Sequence, residues 1–144
     1  MIGLQQVINS SLSLCFVSAL ARWLPPRLGY PLARSVADQI VRQRNSNVVR
    51  AVRANQWVIS GESLEGAALD QAVRETFRYW ARCIFDLYHY IDDPAGTKEL
   101  IVLEPSFHQL ARRPEFDQRG LMIVGLHLSN FDLILQWLCK QGLK

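Results

Sequence analysis

The chain has 144 residues, with 16 Lys and Arg against 13 Asp and Glu, so its formal net charge is +3 with His neutral. Hydrophobic residues make up 49% of the chain, which excludes an intrinsically disordered segment. The small positive charge does not indicate nucleic-acid binding. The three cysteines, Cys15, Cys83 and Cys139, have the spacing of neither a disulfide framework nor a zinc site.

The first 21 residues carry no charge, and Arg22 is the first charged residue. Polar residues interrupt this segment, so it has the length of a membrane-spanning helix without the hydrophobicity. An apolar face recurs at helical spacing and consists of Leu12, Cys15, Phe16, Ala19, Leu20 and Trp23. Trp23 and the nearby Arg22 and Arg27 suit the headgroup layer of a membrane. We expect residues 1–28 to form a membrane-associating helix, peripheral or as a single N-terminal anchor; a helix packed on the rest of the protein is the alternative.

Residues 29–55 form a basic region with two apolar stripes at helical spacing, which Asn45, Ser46 and Asn47 separate. Its arginines are Arg34, Arg42, Arg44, Arg50 and Arg53, and Asp38 is the one acid in this region. A basic helical region beside an apolar N-terminus fits an anionic membrane surface. A solvated helix face explains the same pattern equally well.

The strongest periodic signal runs from Ser63 to about Asp92 and predicts a long helix. Ser63 is the expected N-cap, and the sequence Asp-Asp-Pro-Ala-Gly at 92–96 is the expected stop. The apolar positions that define this helix are Leu69, Ala72, Val73, Phe77, Trp80, Ile84, Phe85 and Tyr88. On another face, Arg74, Arg78 and Arg82 lie four residues apart and contact either solvent or lipid headgroups.

The pattern changes after residue 96. Residues 100–103 are a short apolar run that is rich in β-forming residues. Residues 121–126 are a continuous apolar run, which is typical of a strand buried on both faces of a sheet. Residues 106–113 and 130–141 have helical spacing. We therefore predict an α/β fold, in which N-terminal helices are followed by the start of a mostly parallel sheet with flanking helices. In this interpretation residues 29–144 are the N-terminal portion of a larger domain.

His127 directly follows the second apolar run, and Asp132 lies at the start of the next predicted helix. Ligands in open α/β sheets bind at the carboxyl ends of strands. A histidine there can act as general base, and a carboxylate on its other ring nitrogen fixes the tautomer. This arrangement would deprotonate a hydroxyl for attack on an activated acyl carbon. We interpret His89 as a core or rim residue and His108 as a surface residue, and no sequence motif indicates a metal or a nucleotide cofactor.

The block Gly-Leu-His-Leu-Ser-Asn-Phe-Asp at 125–132 resembles the His-x4-Asp/Glu block of the lipid A biosynthesis (lauroyl/myristoyl) acyltransferase family, which includes phosphatidylinositol mannoside acyltransferases. Four upstream features also occur in that family in the same order: the uncharged N-terminal helix, the Leu-Pro-Pro-Arg stretch, the Val-Arg-Ala-Asn stretch and the long aromatic helix. Ser129 replaces a usual Gly, and Phe131 and Asp132 replace a frequent Trp-Glu pair. Family members are roughly twice as long, so the resemblance corresponds to their N-terminal half.

The resemblance implies transfer of a fatty acyl group to a hydroxyl of a lipid A-like or other membrane glycolipid. The co-substrate would be acyl-carrier protein or a CoA thioester, and the site would be at the cytoplasmic face of the inner membrane, with no nucleic-acid partner. His127 would be the catalytic base and Asp132 its orienting partner, while Ser129 and Asn130 would bind substrate. The alternative is a truncated, inactive, membrane-peripheral helical protein with a structural His127. A soluble all-helical regulator is disfavoured by the two apolar runs.

Overall fold

The structure is a computed structural model that describes residues 11–102, 104–106, 109 and 130–140. Six helices have both ends within these residues: α1 (Ser11–Trp23), α2 (Pro26–Val41), α3 (Asn47–Ile59), α4 (Gly66–Tyr90), α5 (Pro94–Leu100) and α6 (Phe131–Lys140). Pro105, Ser106 and Gln109 are also helical. The chain divides into two compact units, Met1–His89 and Tyr90–Lys144.

The described part of the chain is all-helical, and the predicted α/β fold with a parallel sheet is wrong. The first predicted strand, at 100–103, falls at the end of a helix: Leu100 is the last residue of α5, and Ile101 and Val102 follow without regular structure. The side chain of Val102 is 94% exposed, so it lacks the burial expected of a strand in the core of a sheet. The second predicted strand, at 121–126, lies outside the described residues, as does most of the helix predicted at 106–113. Short apolar runs fit a strand and a helix segment equally, and this ambiguity explains the error.

Two prolines separate α1 from α2. Pro25 has an extended backbone at φ −62° and ψ 146°, and Pro26 is the first helical residue of α2. A proline is well tolerated there, because the first N–H groups of a helix have no intrahelical acceptor. Within residues 1–28, α1 ends at Trp23, and the residues from Pro26 onward belong to α2.

The long predicted helix is confirmed as α4, but it starts differently from the prediction. The hydroxyl of Ser63 donates to the carbonyl of Ser60 at 2.7 Å and does not cap α4. The carbonyl of Glu65 instead accepts from the N–H groups of Ala68 and Leu69, at 3.1 and 3.3 Å. Gly66, the first residue of α4, has a φ of +51°. A glycine adopts this backbone conformation without steric cost, so the chain can turn sharply at the start of the helix.

The core of the first unit is a cluster of buried apolar side chains that α2, α3 and α4 contribute together. Ala37 comes from α2, Val49 from α3, and Leu69, Val73 and Phe77 from α4. The three α4 residues lie four apart, so they form one stripe along the helix. Burial of each larger side chain stabilises the unit by about 1.5–3 kcal/mol.

A second contact in this unit involves Phe85 near the end of α4. Gly29 of α2 lies so close to the Phe85 ring that a methyl group at this position would overlap it. The Tyr30 ring contacts Phe85 edge-on, with ring centroids 5.3 Å apart. The His89 ring stacks on Phe85 at 5.1 Å, and its Nδ1 is 2.7 Å from the carbonyl oxygen of Ala21. A neutral His89 therefore carries its proton on Nδ1 and donates to this carbonyl, which agrees with its interpretation as a core or rim residue.

The second unit contains α5 and α6. Asp93 caps α5, because its side chain accepts from the N–H of Gly96 at 3.0 Å. The break predicted at 92–96 is thus confirmed, with α4 ending at Tyr90. Helix α6 lies against α5 and buries Leu133, Trp137 and Leu138.

Candidate functional site

The structure describes part of the predicted catalytic block. His127 and Ser129 lie outside the described residues, while Asn130 and Asp132 belong to the N-terminal end of α6. The helix predicted from Asn130 onward is observed as Phe131–Lys140, so that element of the prediction is confirmed.

The first turn of α6 has an exposed carboxylate, that of Asp132, on one side and a buried apolar side chain on the other. The carbonyl of Asn130 accepts from the N–H of Ile134 at 3.1 Å, which places Asn130 at the N-cap position. Asp132 is exposed in the first turn, whereas the adjacent Leu133 is buried. The positive end of the helix dipole favours a carboxylate here, and an exposed carboxylate can accept a hydrogen bond from an imidazole. Its pairing with His127 stays a prediction.

The N-terminal helix exposes an apolar face. On α1, Trp23 is 88% exposed and Phe16 is 68% exposed, and Cys15, Ala19 and Leu20 are exposed as well. Ala21, on the opposite side of α1, is buried. The side chain of Leu12, the remaining member of the predicted face, is outside the described part of the structure.

The exposed apolar surface includes residues of α2. Leu28, Leu32 and Val36 are each exposed and lie four residues apart along this helix. We call six exposed apolar residues of α1 and α2 the apolar surface: Phe16, Leu20, Trp23, Leu28, Leu32 and Val36. No helix within the described ranges has both the length and the hydrophobicity that crossing a membrane requires.

The three arginines of the α4 stripe have different environments. Arg78 donates to both carboxylate oxygens of Asp38, from Nε at 2.7 Å and from Nη2 at 2.8 Å. Its Nη1 donates to Glu75 at 2.8 Å. The hydrogen bond from Arg78 lowers the pKa of the Asp38 carboxyl, and the same bond raises the pKa of Arg78. Arg78 therefore links α4 to α2 and does not face a lipid or solvent freely.

Arg82, the next residue of the stripe, lies over an aromatic ring. Its guanidinium carbon is 4.6 Å from the centroid of Tyr30, and its Nε is 3.9 Å from the largely buried carboxylate of Asp86. Arg74 is exposed and lines a cavity between α2, α3 and α4. The three arginines that sequence spacing places on one face of α4 therefore have three different roles. Arg78 forms an ion pair with α2, Arg82 forms a cation–π contact, and Arg74 lines a cavity.

Asp70 of α4 joins two arginines of the basic region. Arg44 donates from Nη2 to Oδ2 of Asp70 at 2.8 Å, and Nη1 of Arg53 donates to Oδ1. The hydrogen bond from Arg53 lowers the pKa of the Asp70 carboxyl, with Arg44 adding to the effect. The sequence interpretation missed this cluster, because Asp70 lies 17 and 26 residues from the two arginines.

The cysteines and the third histidine are the remaining candidate residues of the sequence. Cys15, Cys83 and Cys139 form no disulfide bond. Within the described ranges, His, Cys, Asp and Glu side chains form no group of three or more that could hold a metal ion. His108 lies outside these ranges, so its assignment to the surface stays a prediction.

Comparison with known proteins adds no family assignment. No protein-family model, curated protein or solved structure matches the chain. The resemblance of residues 125–132 to the lipid A acyltransferase block is therefore a hypothesis that rests on the residues themselves.

Proposed function

We propose that the chain acts in acyl transfer at a membrane surface, moving a fatty acyl group from acyl-carrier protein or acyl-CoA to a hydroxyl of a glycolipid. The observation that carries this proposal is the sequence block at 125–132, which continues into a helix with Asp132 exposed in its first turn. The proposal depends on this block and not on a parallel sheet.

The proposed chemistry needs one base and one orienting carboxylate. His127 takes the proton of the acceptor hydroxyl while the hydroxyl oxygen attacks the thioester carbonyl. The tetrahedral intermediate then collapses, the carbon–sulfur bond breaks, and the imidazolium of His127 returns its proton to the leaving thiolate. Asp132 accepts from the other ring nitrogen, which orients the imidazole and stabilises its charged form. Asn130 and Ser129 contribute to substrate binding in the turn between the two residues.

The apolar surface supports the proposed location. Phe16 and Trp23 are exposed on α1, with Arg22 and Arg27 close to the end of that helix. Aromatic rings can enter the headgroup layer while arginines contact anionic lipid phosphates. Peripheral binding of this kind would bring the protein to the surface in which a glycolipid acceptor lies, at the cytoplasmic face of the inner membrane.

The test is transfer of a labelled lauroyl group from acyl-carrier protein to a lipid A precursor in vesicles. We expect His127→Ala to reduce the rate about 10²- to 10⁴-fold, which is the usual contribution of a general base. His108→Ala is the matched control and is expected to keep the wild-type rate. Turnover that is unaffected by His127→Ala would contradict the proposed chemistry.

The apolar surface also favours a second candidate, an inactive membrane-peripheral helical protein in which His127 is structural. This candidate shares the membrane contact but not the chemistry. Binding to vesicles without acyl transfer to either a lipid A precursor or a phosphatidylinositol mannoside, from either thioester donor, would favour it over the enzyme.

A further inference from the structure

A polar cavity lies between α2, α3 and α4 in the first unit. Its volume is about 260 Å³, and buried Val49 and Val73 contribute apolar side chains to its wall. The charged residues that line it are Asp38, Arg42, Arg44, Arg53, Asp70 and Arg74. Four arginines and two aspartates leave an excess of two positive charges in the wall of one cavity.

The carboxylates of this cavity are already engaged. Asp38 accepts two hydrogen bonds from Arg78, which does not line the cavity. Asp70 accepts from Arg44 and Arg53. An added anion would therefore meet carboxylates whose charge is compensated.

The arginines, in contrast, keep donors for a ligand. A guanidinium has five N–H donors, and Arg44 and Arg53 each use one of them on Asp70. Arg42 donates to the amide oxygen of Gln39 at 3.2 Å. Among the described residues, no carboxylate forms an ion pair with Arg42 or Arg74. The ion pairs to Asp70 also fix the positions of two guanidinium groups before a ligand binds.

This arrangement suits a tetrahedral oxyanion more than a carboxylate. Guanidinium groups from the turn after α2, from α3 and from α4 line one cavity, and a phosphate group presents oxygens in several directions to such donors. Val49 and Val73 form an apolar part of the wall, and a charged hydrogen bond is stronger where apolar groups replace water.

We propose that the cavity is a phosphate-binding site, in which Arg42, Arg44, Arg53 and Arg74 donate to the phosphate oxygens. The phosphate is either the headgroup of an anionic lipid or a free phosphate ion. The site lies in the first unit and uses neither His127 nor Asp132, so it goes beyond the proposed acyl transfer and does not depend on it.

The experiment compares two single variants of equal charge in the full chain. Arg74→Gln removes a cavity donor, and Arg50→Gln removes an exposed arginine that does not line the cavity. Calorimetry with inorganic phosphate at constant ionic strength measures the free ion, and co-sedimentation with phosphatidate vesicles measures the headgroup. Circular dichroism verifies that both variants fold.

We expect Arg74→Gln to weaken binding about tenfold or more, as the loss of charged hydrogen bonds predicts, and Arg50→Gln to change it less than twofold. The loss of calorimetric binding would identify free phosphate as a ligand, and a loss confined to the vesicles would identify a lipid headgroup. Equal effects of the two variants with both probes would overturn the proposal, since only general charge attraction predicts that result. Failure of the wild-type chain to bind either probe would also overturn it.

Discussion

At the scale of single residues, the two aspartates with lowered pKa values connect the stability of the first unit to pH. Asp38 and Asp70 each have a pKa below the ordinary value of 3.8, because Arg78 and Arg53 donate to their charged forms. A carboxyl whose pKa is lower in the folded state stabilises that state above its unfolded pKa. This stabilisation is lost as the pH falls through the folded pKa.

The resulting prediction is that the contribution of Asp38 and Asp70 to the free energy of unfolding is constant near neutral pH and falls below about pH 4. Asp38→Asn should lower stability at pH 6 and reduce the further loss between pH 6 and pH 2.5. Urea denaturation at the two pH values checks this, with Glu65→Gln as control. An acid-dependent loss in Asp38→Asn equal to that of the wild type would contradict the role of the Arg78 pair.

Gly29 provides a second residue-scale prediction. A methyl group at Gly29 would overlap the Phe85 ring, so Gly29→Ala should destabilise the first unit by about 1–3 kcal/mol. Thermal unfolding measures this, and Ser35→Ala on the exposed side of α2 should change stability by less than about 0.5 kcal/mol. Phe85→Leu should cost less stability in the Gly29→Ala background than in the wild type. Additive effects of the two substitutions would show that a methyl group at position 29 does not overlap the Phe85 ring.

At the scale of helices, the sequence pattern was sufficient for α4 and insufficient for the predicted strands. The apolar stripe of α4 extends over many turns, and only a helix buries residues spaced three and four apart on one side. Residues 100–103 offer four apolar positions and no period, so the same run fits the end of a helix. The tertiary partners of the arginines were also beyond sequence reasoning, since Asp38 and Arg78 are 40 residues apart.

The α4 stripe is tested by shortening one side chain in it. Val73 is 1% exposed, and Val73→Ala should lower the free energy of unfolding by about 2 kcal/mol through lost burial and the cavity that remains. Val48→Ala on the exposed side of α3 should be neutral or slightly stabilising, because alanine has the higher helix propensity. Chemical denaturation distinguishes the two. An equal effect of both substitutions would show that Val73 is not part of the core.

At the scale of the whole molecule, the apolar surface predicts binding to anionic vesicles. The double variant Phe16→Ser, Trp23→Ser should reduce flotation with phosphatidylglycerol vesicles at least about tenfold, because both aromatic side chains are exposed on α1. Tyr79→Ser, which removes an exposed aromatic ring from α4, is the control and should float like the wild type. A wild-type chain that stays at the bottom of the gradient at low salt would contradict membrane binding.

For the candidate catalytic residues, the sequence predicts the helix but not the contact between the two side chains. The helix after the block could be predicted from Leu133, Trp137 and Leu138, since these positions share one face and are buried. Whether Asp132 can pair with His127 depends on the conformation of the residues between them, for which neither periodicity nor burial supplies a rule. We propose that His127 and Asp132 act together in acyl transfer.

The pH dependence of acyl transfer by the wild type and by Asp132→Asn tests this claim most directly. A histidine base requires its neutral form, and a paired carboxylate raises the pKa of the imidazole, so the wild-type rate should rise with pH with a midpoint above the ordinary histidine value of about 6.5. Loss of a neighbouring carboxylate lowers the pKa of an imidazolium, so Asp132→Asn should show a lower maximal rate and a midpoint shifted to lower pH. Glu99→Gln, an exposed carboxylate on α5, should leave both unchanged. Identical profiles and rates for the wild type and Asp132→Asn would contradict the paired action of His127 and Asp132.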